Sequence, residues 1–270
     1  MAQTDLSFVG QVPEVYDRFM VPMLFQPYAE DMAARVALLK PHAVLETAAG
    51  SGVVTRLVAP LLAPDARYVV TDLNPPMLER AKARQPQDAR IEWLAADALD
   101  LPFEAASFDA LCCQFGVMFF PDRVKGYREA LRVLKPGAPF LFNAWDSLAH
   151  NDFAAAVWDA VMVYYPDNPP DFFPRVPHGY FDEGRIRADL ASAGFGTVSV
   201  AVVAHKSPVA QARDAAVAYC QGTPLRMEII KRDPVALATV TDFVEAALVE
   251  RFGTGPIVGK IQALVVEACA

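Results

Sequence analysis

Short apolar runs bounded by turn residues punctuate the first half of the chain. They fall at Ala43–Thr47, Arg67–Thr71, Arg90–Leu94, Phe108–Cys113 and Ala138–Ala144. Most carry Val, Ile, Leu or Phe on both faces, as strands do when a parallel sheet is covered on two sides. Between them the period becomes helical. Across Asp122–Leu134, Val124, Tyr127, Leu131 and Leu134 recur at three- and four-residue steps, and Lys135-Pro136-Gly137 supplies the stop. Pro75-Pro76 opens another helix reaching about Arg84, because proline is tolerated in a first helical turn.

The second half changes character. Asn151–Phe181 is punctuated by Pro166, Pro169, Pro170, Pro174 and Pro177 and is rich in aromatic residues. A helix over Asp182–Ala193 ends at Gly194, and a strand follows at Thr197–Ala204. Three helical segments fill Gln211–Arg251, interrupted at Gly222-Thr223-Pro224 and Asp233-Pro234, before a closing strand at Ile257–Ala268. At the start, Val12–Ala37 reads as two short amphipathic helices, with Met32, Val36 and Leu39 on one face of the second. Strand–helix repetition predicts an α/β fold: a Rossmann-like, doubly wound, seven-stranded and mostly parallel sheet with helical cap insertions. With no repeat and no low-complexity linker, residues 1–270 are expected to form a single domain. It comprises an N-terminal helical lid (1–40), a ligand-binding core (41–146) and two insertions (151–181 and 211–251) that form a substrate cap.

Composition narrows the function. Of 270 residues 54% are apolar, and 24 basic against 32 acidic residues leave a net charge of −8. Such a surface repels phosphate backbones, and no basic patch offsets it, so nucleic acid is not an expected partner. No apolar run reaches the roughly 18 residues of a membrane span. Met1–Asp5 has neither a basic start nor a hydrophobic stretch, so no secretory leader is expected and the location is read as cytoplasmic. Cys112, Cys113, Cys220 and Cys269 form no CxxC pair and no disulfide framework, and no metal site is expected. In a strand, Cys112 and Cys113 point to opposite faces.

The informative segment is Val44-Leu45-Glu46-Thr47-Ala48-Ala49-Gly50-Ser51-Gly52, a small-residue turn after the first strand and before a helix. Small residues there let a ligand lie against backbone amides. Twenty residues after Gly52, at the tip of the second strand, Asp72 is suited to gripping two ribose hydroxyls. Asp97 follows the third strand, where a carboxylate can accept from an adenine amino group. The fourth strand runs into Gln114-Phe115-Gly116, and Arg128–Gly137 leads to the fifth. Asp109 starts the fourth strand and has no catalytic claim.

In this order and spacing the chain resembles the class I S-adenosylmethionine-dependent methyltransferases. It looks most like the branch that includes the ubiquinone/menaquinone-biosynthesis C-methyltransferases. The resemblance spans Val44–Ala144. It implies S-adenosylmethionine as cofactor, with Glu46, Ala48, Gly50 and Gly52 along its methionyl part and Asp72 on the ribose. It further implies Leu73 and Met77 flanking the adenine, Asp97 and Ala98 at its edge, Gln114 bordering the methyl-transfer site, and Tyr16 as a lid contact. Ala48 stands where the family usually has its first glycine, which adds a methyl group near the ligand.

Two other readings stay open. An NAD-dependent oxidoreductase would need a third glycine where Thr55 stands, and it gives Asp97 and Lys135-Pro136-Gly137 no role. A methyltransferase-like protein that binds ligand without turnover is the other. For an enzyme, the apolar insertions suggest a small, partly hydrophobic or aromatic acceptor, or else the interface of an oligomer. His150 and His178 are the candidate bases, Arg226 is a candidate anchor for an acceptor carboxylate, and Phe115, Met118, Phe119 and Phe120 read as packing.

Overall fold

The computed structural model describes residues 12–270; Met1–Asp5, read for a leader, lies outside the described residues. Seven strands form one sheet: β1 (Ala43–Glu46), β2 (Arg67–Asp72), β3 (Ile91–Ala95), β4 (Ala110–Gln114), β5 (Phe140–Trp145), β6 (Thr197–Val209) and β7 (Ile257–Cys269). Their order is β3-β2-β1-β4-β5-β7-β6. The pairs among β1 to β5 are parallel, whereas β7 runs antiparallel to β5, with Asn143 opposite Val265. This is the mostly parallel, seven-stranded α/β sheet that the periodicity predicts. The helices are α1 (Val12–Val15), α2 (Gln26–Leu39), α3 (Val53–Val58), α4 (Pro75–Arg84), α5 (Arg123–Val133), α6 (Asp152–Tyr164) and α7 (Phe172–Arg175). Then come α8 (Glu183–Ala193), α9 (Ala212–Gln221), α10 (Leu225–Arg232) and α11 (Leu237–Phe252).

The chain groups into two compact units, each drawn from three segments. Among the described residues, one comprises 27–145, 180–203 and 263–270; the other comprises 12–26, 146–179 and 204–262. In the sheet unit, all six residues of β5 are buried. Tyr127 of α5 lies fully buried against β5, its ring stacked on Phe142 at 5.6 Å between centroids. Two aspartates start helices as their positions suggest: Asp122 Oδ1 accepts from Lys125 N, and Asp182 Oδ1 from Arg185 N. Asp109 is a structural pin. Its carboxylate accepts from His42 N, Ala43 N and, at 2.6 Å, Lys135 Nζ, which fastens the amino ends of β1 and β4.

In the other unit α9 packs against α11 and α11 against α6. Ser207 Oγ donates to Met23 O at 2.7 Å. Here the expectation for the N-terminal segment is corrected. The two short helices are replaced by α1, a π-helical stretch over Tyr16–Phe25 and α2, with no break between them. Pro22 explains the widening, because it has no N–H and its ring crowds the preceding turn. The longer bond from Gln26 N to Val21 O carries the helix past it. Met32 and Val36 of α2 are buried, but Leu39 is 39% exposed because the helix ends there, at Lys40 with φ of +50°. Among the described residues no helix is long and apolar enough to cross a membrane.

Candidate functional site

The sequence places a bend at Thr47–Gly52 after β1, and backbone bonds fasten it to neighbouring strand tips. Thr47 N donates to Cys112 O and Ala49 N to Thr71 O, each at 3.0 Å. Gly50 N donates to Asp72 Oδ2 at 2.8 Å. Ala48, Gly50 and Gly52 take φ of +53°, +57° and +76°. The two glycines serve different ends. A Cβ on Gly52 would lie 2.8 Å from Ala81 Cβ, so its absence lets α4 pack against the bend. A Cβ on Gly50 would meet Met77 Cε at 3.6 Å and no other atom within 4 Å among the described residues, so the bend presents bare backbone there. Ala48 adopts the left-handed conformation without a glycine's freedom, at a cost of about 1–2 kcal/mol. Ala48→Gly is therefore expected to raise the melting temperature by roughly 2–4 °C, checked by calorimetry, since relief of about 1 kcal/mol gives that shift in a chain of this size.

Asp72 is buried at the tip of β2. Besides Gly50, it accepts from Asn74 N at 2.7 Å through Oδ1. Burial raises its pKa, and the two backbone N–H groups pull it back. Glu46 points inward instead. Its Oε2 accepts from Thr55 Oγ1 at 2.7 Å and from the Tyr68 hydroxyl, and burial pushes its pKa up to about 7. Ala96 N donates to Asp72 O at 3.1 Å, which sets the tip of β3 beside that of β2. Beyond it Asp97 is exposed, its Oδ1 accepting from Leu99 N at 2.9 Å, and Ala98 is half-buried. Leu73 is 48% exposed, whereas Met77 is buried over Gly50. Gln114 is half-buried at the end of β4. Thus Glu46, Ala48, Gly50, Gly52, Asp72, Met77 and the tip bearing Asp97 converge on one corner of the sheet.

Sequence reasoning missed the role of Gly116. A Cβ there would lie 2.5 Å from Ala48 Cβ and 2.7 Å from Cys113 Sγ, so the turn after β4 rests directly on the β1 bend. A glycine just past a strand was the available signal; the neighbour that demands it is three strands back in the sequence. Phe115 beside it takes φ of +53° and stacks on Trp145 at 3.8 Å between centroids. Met118 and Phe120 are buried, as packing residues should be, and Met118 Sδ accepts from Trp145 N at 3.2 Å. Cys112 and Cys113 are buried free thiols, raised in pKa by burial.

The remaining candidates lie in the other unit. Tyr16 stacks on Phe25 at 4.9 Å. His178 is buried, and its Nδ1 lies 2.8 Å from Asp146 O, which makes Nδ1 the protonated nitrogen. Burial pushes its pKa down to about 4. His150 is exposed, and Arg226 is half-buried on α10. Asn151, also missed, joins this region: its Nδ2 donates to Asp146 O and Ser147 O, and its Oδ1 accepts from Gln262 N.

Residues 45–142 match the family described as a methyltransferase domain. The chain resembles the class I S-adenosylmethionine-dependent methyltransferases. The demethylmenaquinone methyltransferase of Clavibacter sepedonicus is 42% identical over 102 residues, 38% of this chain and 40% of that protein. The ubiquinone/menaquinone biosynthesis C-methyltransferase of Bartonella tribocorum is 38% identical over 143 residues, 50% of this chain and 55% of the relative. The chain thus spans about half or less of the curated relatives it matches. Among solved structures, the YcgJ protein of Bacillus subtilis superposes with a TM-score of 0.57 at 19% identity, covering 90% of this chain and 98% of that one. A methyltransferase from Aquifex aeolicus gives 0.52 at 18% identity, covering 72% and 90%. These likenesses show the fold. The cofactor that the family implies is S-adenosylmethionine, and the bend suits it. Bare backbone at Gly50 leaves room, and Ser51 Oγ is buried with no hydrogen-bond partner among the described residues.

Proposed function

We propose that this chain transfers the methyl group of S-adenosylmethionine to a small, partly hydrophobic or aromatic molecule. The observation that carries the reading is the corner itself: a bend of left-handed residues held by Asp72 through Gly50 N–H. Bound there, the cofactor supplies an electrophilic methyl, so the chain's task is alignment and exclusion of water. Holding reactants in line is worth about 7–11 kcal/mol in favourable cases.

Each residue has a stated part. Gly50 and Ser51 receive the methionyl portion, and Asp72, while holding the bend, uses its remaining lone pairs for the ribose hydroxyls. Met77 and Leu73 sandwich the adenine, with Asp97 and Ala98 at its edge. Glu46 supports the bend from beneath through Thr55 and Tyr68. Gln114 borders the reacting methyl, and Tyr16 serves as a lid contact. The acceptor class is supported by the aromatic Asn151–Phe181 segment and by relatives whose names refer to menaquinone and ubiquinone. We place the protein in the cytoplasm, acting on a small molecule rather than nucleic acid, as a monomer or oligomer.

Titration calorimetry with S-adenosylmethionine, S-adenosylhomocysteine and NADH, followed by transfer of a labelled methyl, tests this. Binding of NADH in place of the other two sinks the reading. Asp72→Ala is expected to weaken S-adenosylhomocysteine binding more than tenfold, since a hydrogen bond to a charged group is worth about 1.5–3 kcal/mol; unchanged affinity removes the ribose assignment. Where the acceptor must lose a proton, His178 is the proposed base and starts from its neutral form above about pH 4. His178→Asn is then expected to remove the acid limb of the rate profile, while His150→Ala leaves it in place. An unaltered profile in both variants takes both histidines out of the reaction.

A further inference from the structure

The carboxyl ends of β4 and β5 carry two primary amides side by side. Gln114 and Asn143 are register partners, so their side chains leave the sheet on the same face. Across the next strand pair, Val265 of β7 stands opposite Asn143. Along β5 the same-face neighbours are Leu141 and Trp145. Asn143 therefore sits in an apolar frame with one other amide beside it. It is fully buried, and neither its Oδ1 nor its Nδ2 has a hydrogen-bond partner among the described residues. Interiors seldom keep such a group, because an amide stripped of water and given nothing in return opposes folding. Leucine has the same branched outline, with a somewhat larger bulk, and carries no such penalty.

Position suggests why it is kept. The main-chain carbonyl of Asn143 accepts from Phe115 N at 3.2 Å, so the residue anchors the turn that follows β4. Phe115 stacks on Trp145, and Tyr28 meets both rings edge-on at 5.2 and 5.4 Å. Gly116, next in sequence, rests on Ala48 of the bend assigned above to the cofactor. Ligands of open α/β sheets bind at this carboxyl edge. The φ of +53° at Phe115 is unusual for a bulky residue, the kind of backbone outlier that gathers at ligand sites.

We propose that Asn143 is a specificity-determining residue for the methyl acceptor. It receives a neutral group that both donates and accepts a hydrogen bond, a hydroxyl, alongside the rings of Phe115 and Trp145. An uncharged amide offers one acceptor and two donors, which matches a hydroxyl and gives no countercharge to a carboxylate or an ammonium. The assignment rests on the methyl-transfer reading and adds the chemistry of the group that is read.

Two measurements on the full chain test it. In the ligand-free protein, Asn143→Leu is expected to raise the melting temperature by about 2–4 °C, as replacement of an unmet amide by a hydrocarbon should. With S-adenosylhomocysteine saturating, phenol and toluene serve as probes of nearly equal shape, followed by ligand-observed NMR. The natural protein is expected to prefer phenol by about tenfold or more, and Asn143→Leu to lose that preference. Asn143→Ala, which cannot overfill the space, must lose it too, and it decides the matter where leucine does not fold. A melting temperature lowered in Asn143→Leu by more than overfilling explains, and lowered in Asn143→Ala as well, shows an amide satisfied within the protein and overturns the proposal. So does a phenol preference that survives in the variants or is missing from the natural protein. If S-adenosylhomocysteine fails to bind the natural protein, the methyl-transfer reading falls and takes this one with it. If it binds equally to all three forms while the phenol preference does not change, this one alone falls.

Discussion

Gly116→Ala is expected to lower stability by about 2–3 kcal/mol and to weaken S-adenosylhomocysteine binding more than tenfold, although residue 116 is assigned no contact with the ligand. The cause is steric. At φ of −98° the backbone itself accepts any residue, so no conformational penalty enters. The added methyl would stand 2.5 Å from Ala48 Cβ and 2.7 Å from Cys113 Sγ, well inside contact distance, and neither neighbour is the free end of a long side chain. Overpacking of a tight interior typically costs about 1–3 kcal/mol. Here relief must come from moving Ala48, whose displacement carries with it the bend proposed to hold the cofactor. The double variant Ala48→Gly, Gly116→Ala separates this account from a general loss of packing. It deletes the 2.5 Å contact and keeps the one with Cys113. Denaturant unfolding should therefore show clear non-additivity, with Ala48→Gly stabilising the Gly116→Ala background by well over the roughly 1 kcal/mol it contributes in the natural protein. Additive effects would mean that the turn and the bend do not bear on each other.

That contact marks the boundary of what the chain discloses as text. The five early strands, the helix from Pro75 to Arg84, and the caps at Asp122 and Asp182 stand where local pattern puts them. Each is set by neighbours within a turn or a strand. The glycine-bearing bend and the place of Asp72 beside it were legible for a similar reason: strand tips are predictable, and both lie at one. Conflicts over longer range were not legible. Val12–Ala37 was expected to form two short helices, but a helix can continue past Pro22 by widening to a π-turn, and the residues around it, Met20, Val21, Met23 and Leu24, are buried. Gly116 looked like any glycine after a strand. Asn143 was hidden inside an apolar run, where one amide changes neither periodicity nor strand assignment. Glu46 was placed correctly on β1, but the sequence does not tell which way its carboxylate turns. Tyr68 and Thr55, which draw it inward, lie on β2 and α3.

The inward turn of Glu46 has a measurable consequence. Burial raises its pKa from the ordinary 4.5 to about 7, despite hydrogen bonds from Tyr68 and Thr55 and the charge of Arg56, which favour the ionised form. In the unfolded chain the carboxyl releases its proton near its ordinary value, so between about pH 4.5 and 7 the native state binds more protons than the unfolded one. A raised carboxyl pKa thus contributes stability that is fully present below pH 4.5 and lost as pH rises through 7. Over that window the loss amounts to about 3 kcal/mol at most. Glu46→Gln keeps the shape and a hydrogen bond to Tyr68 or Thr55 but cannot ionise. The stability of the variant relative to the natural protein is therefore expected to climb with pH across the window and then level off, by up to about 3 kcal/mol, in denaturant unfolding followed at pH 4.5, 5.5, 6.5 and 8. A difference that stays flat would place the native pKa near that of the unfolded chain. A difference that falls with pH would mean that Glu46 is held ionised in the native state, with Tyr68 and Thr55 acting as donors strong enough to outweigh burial.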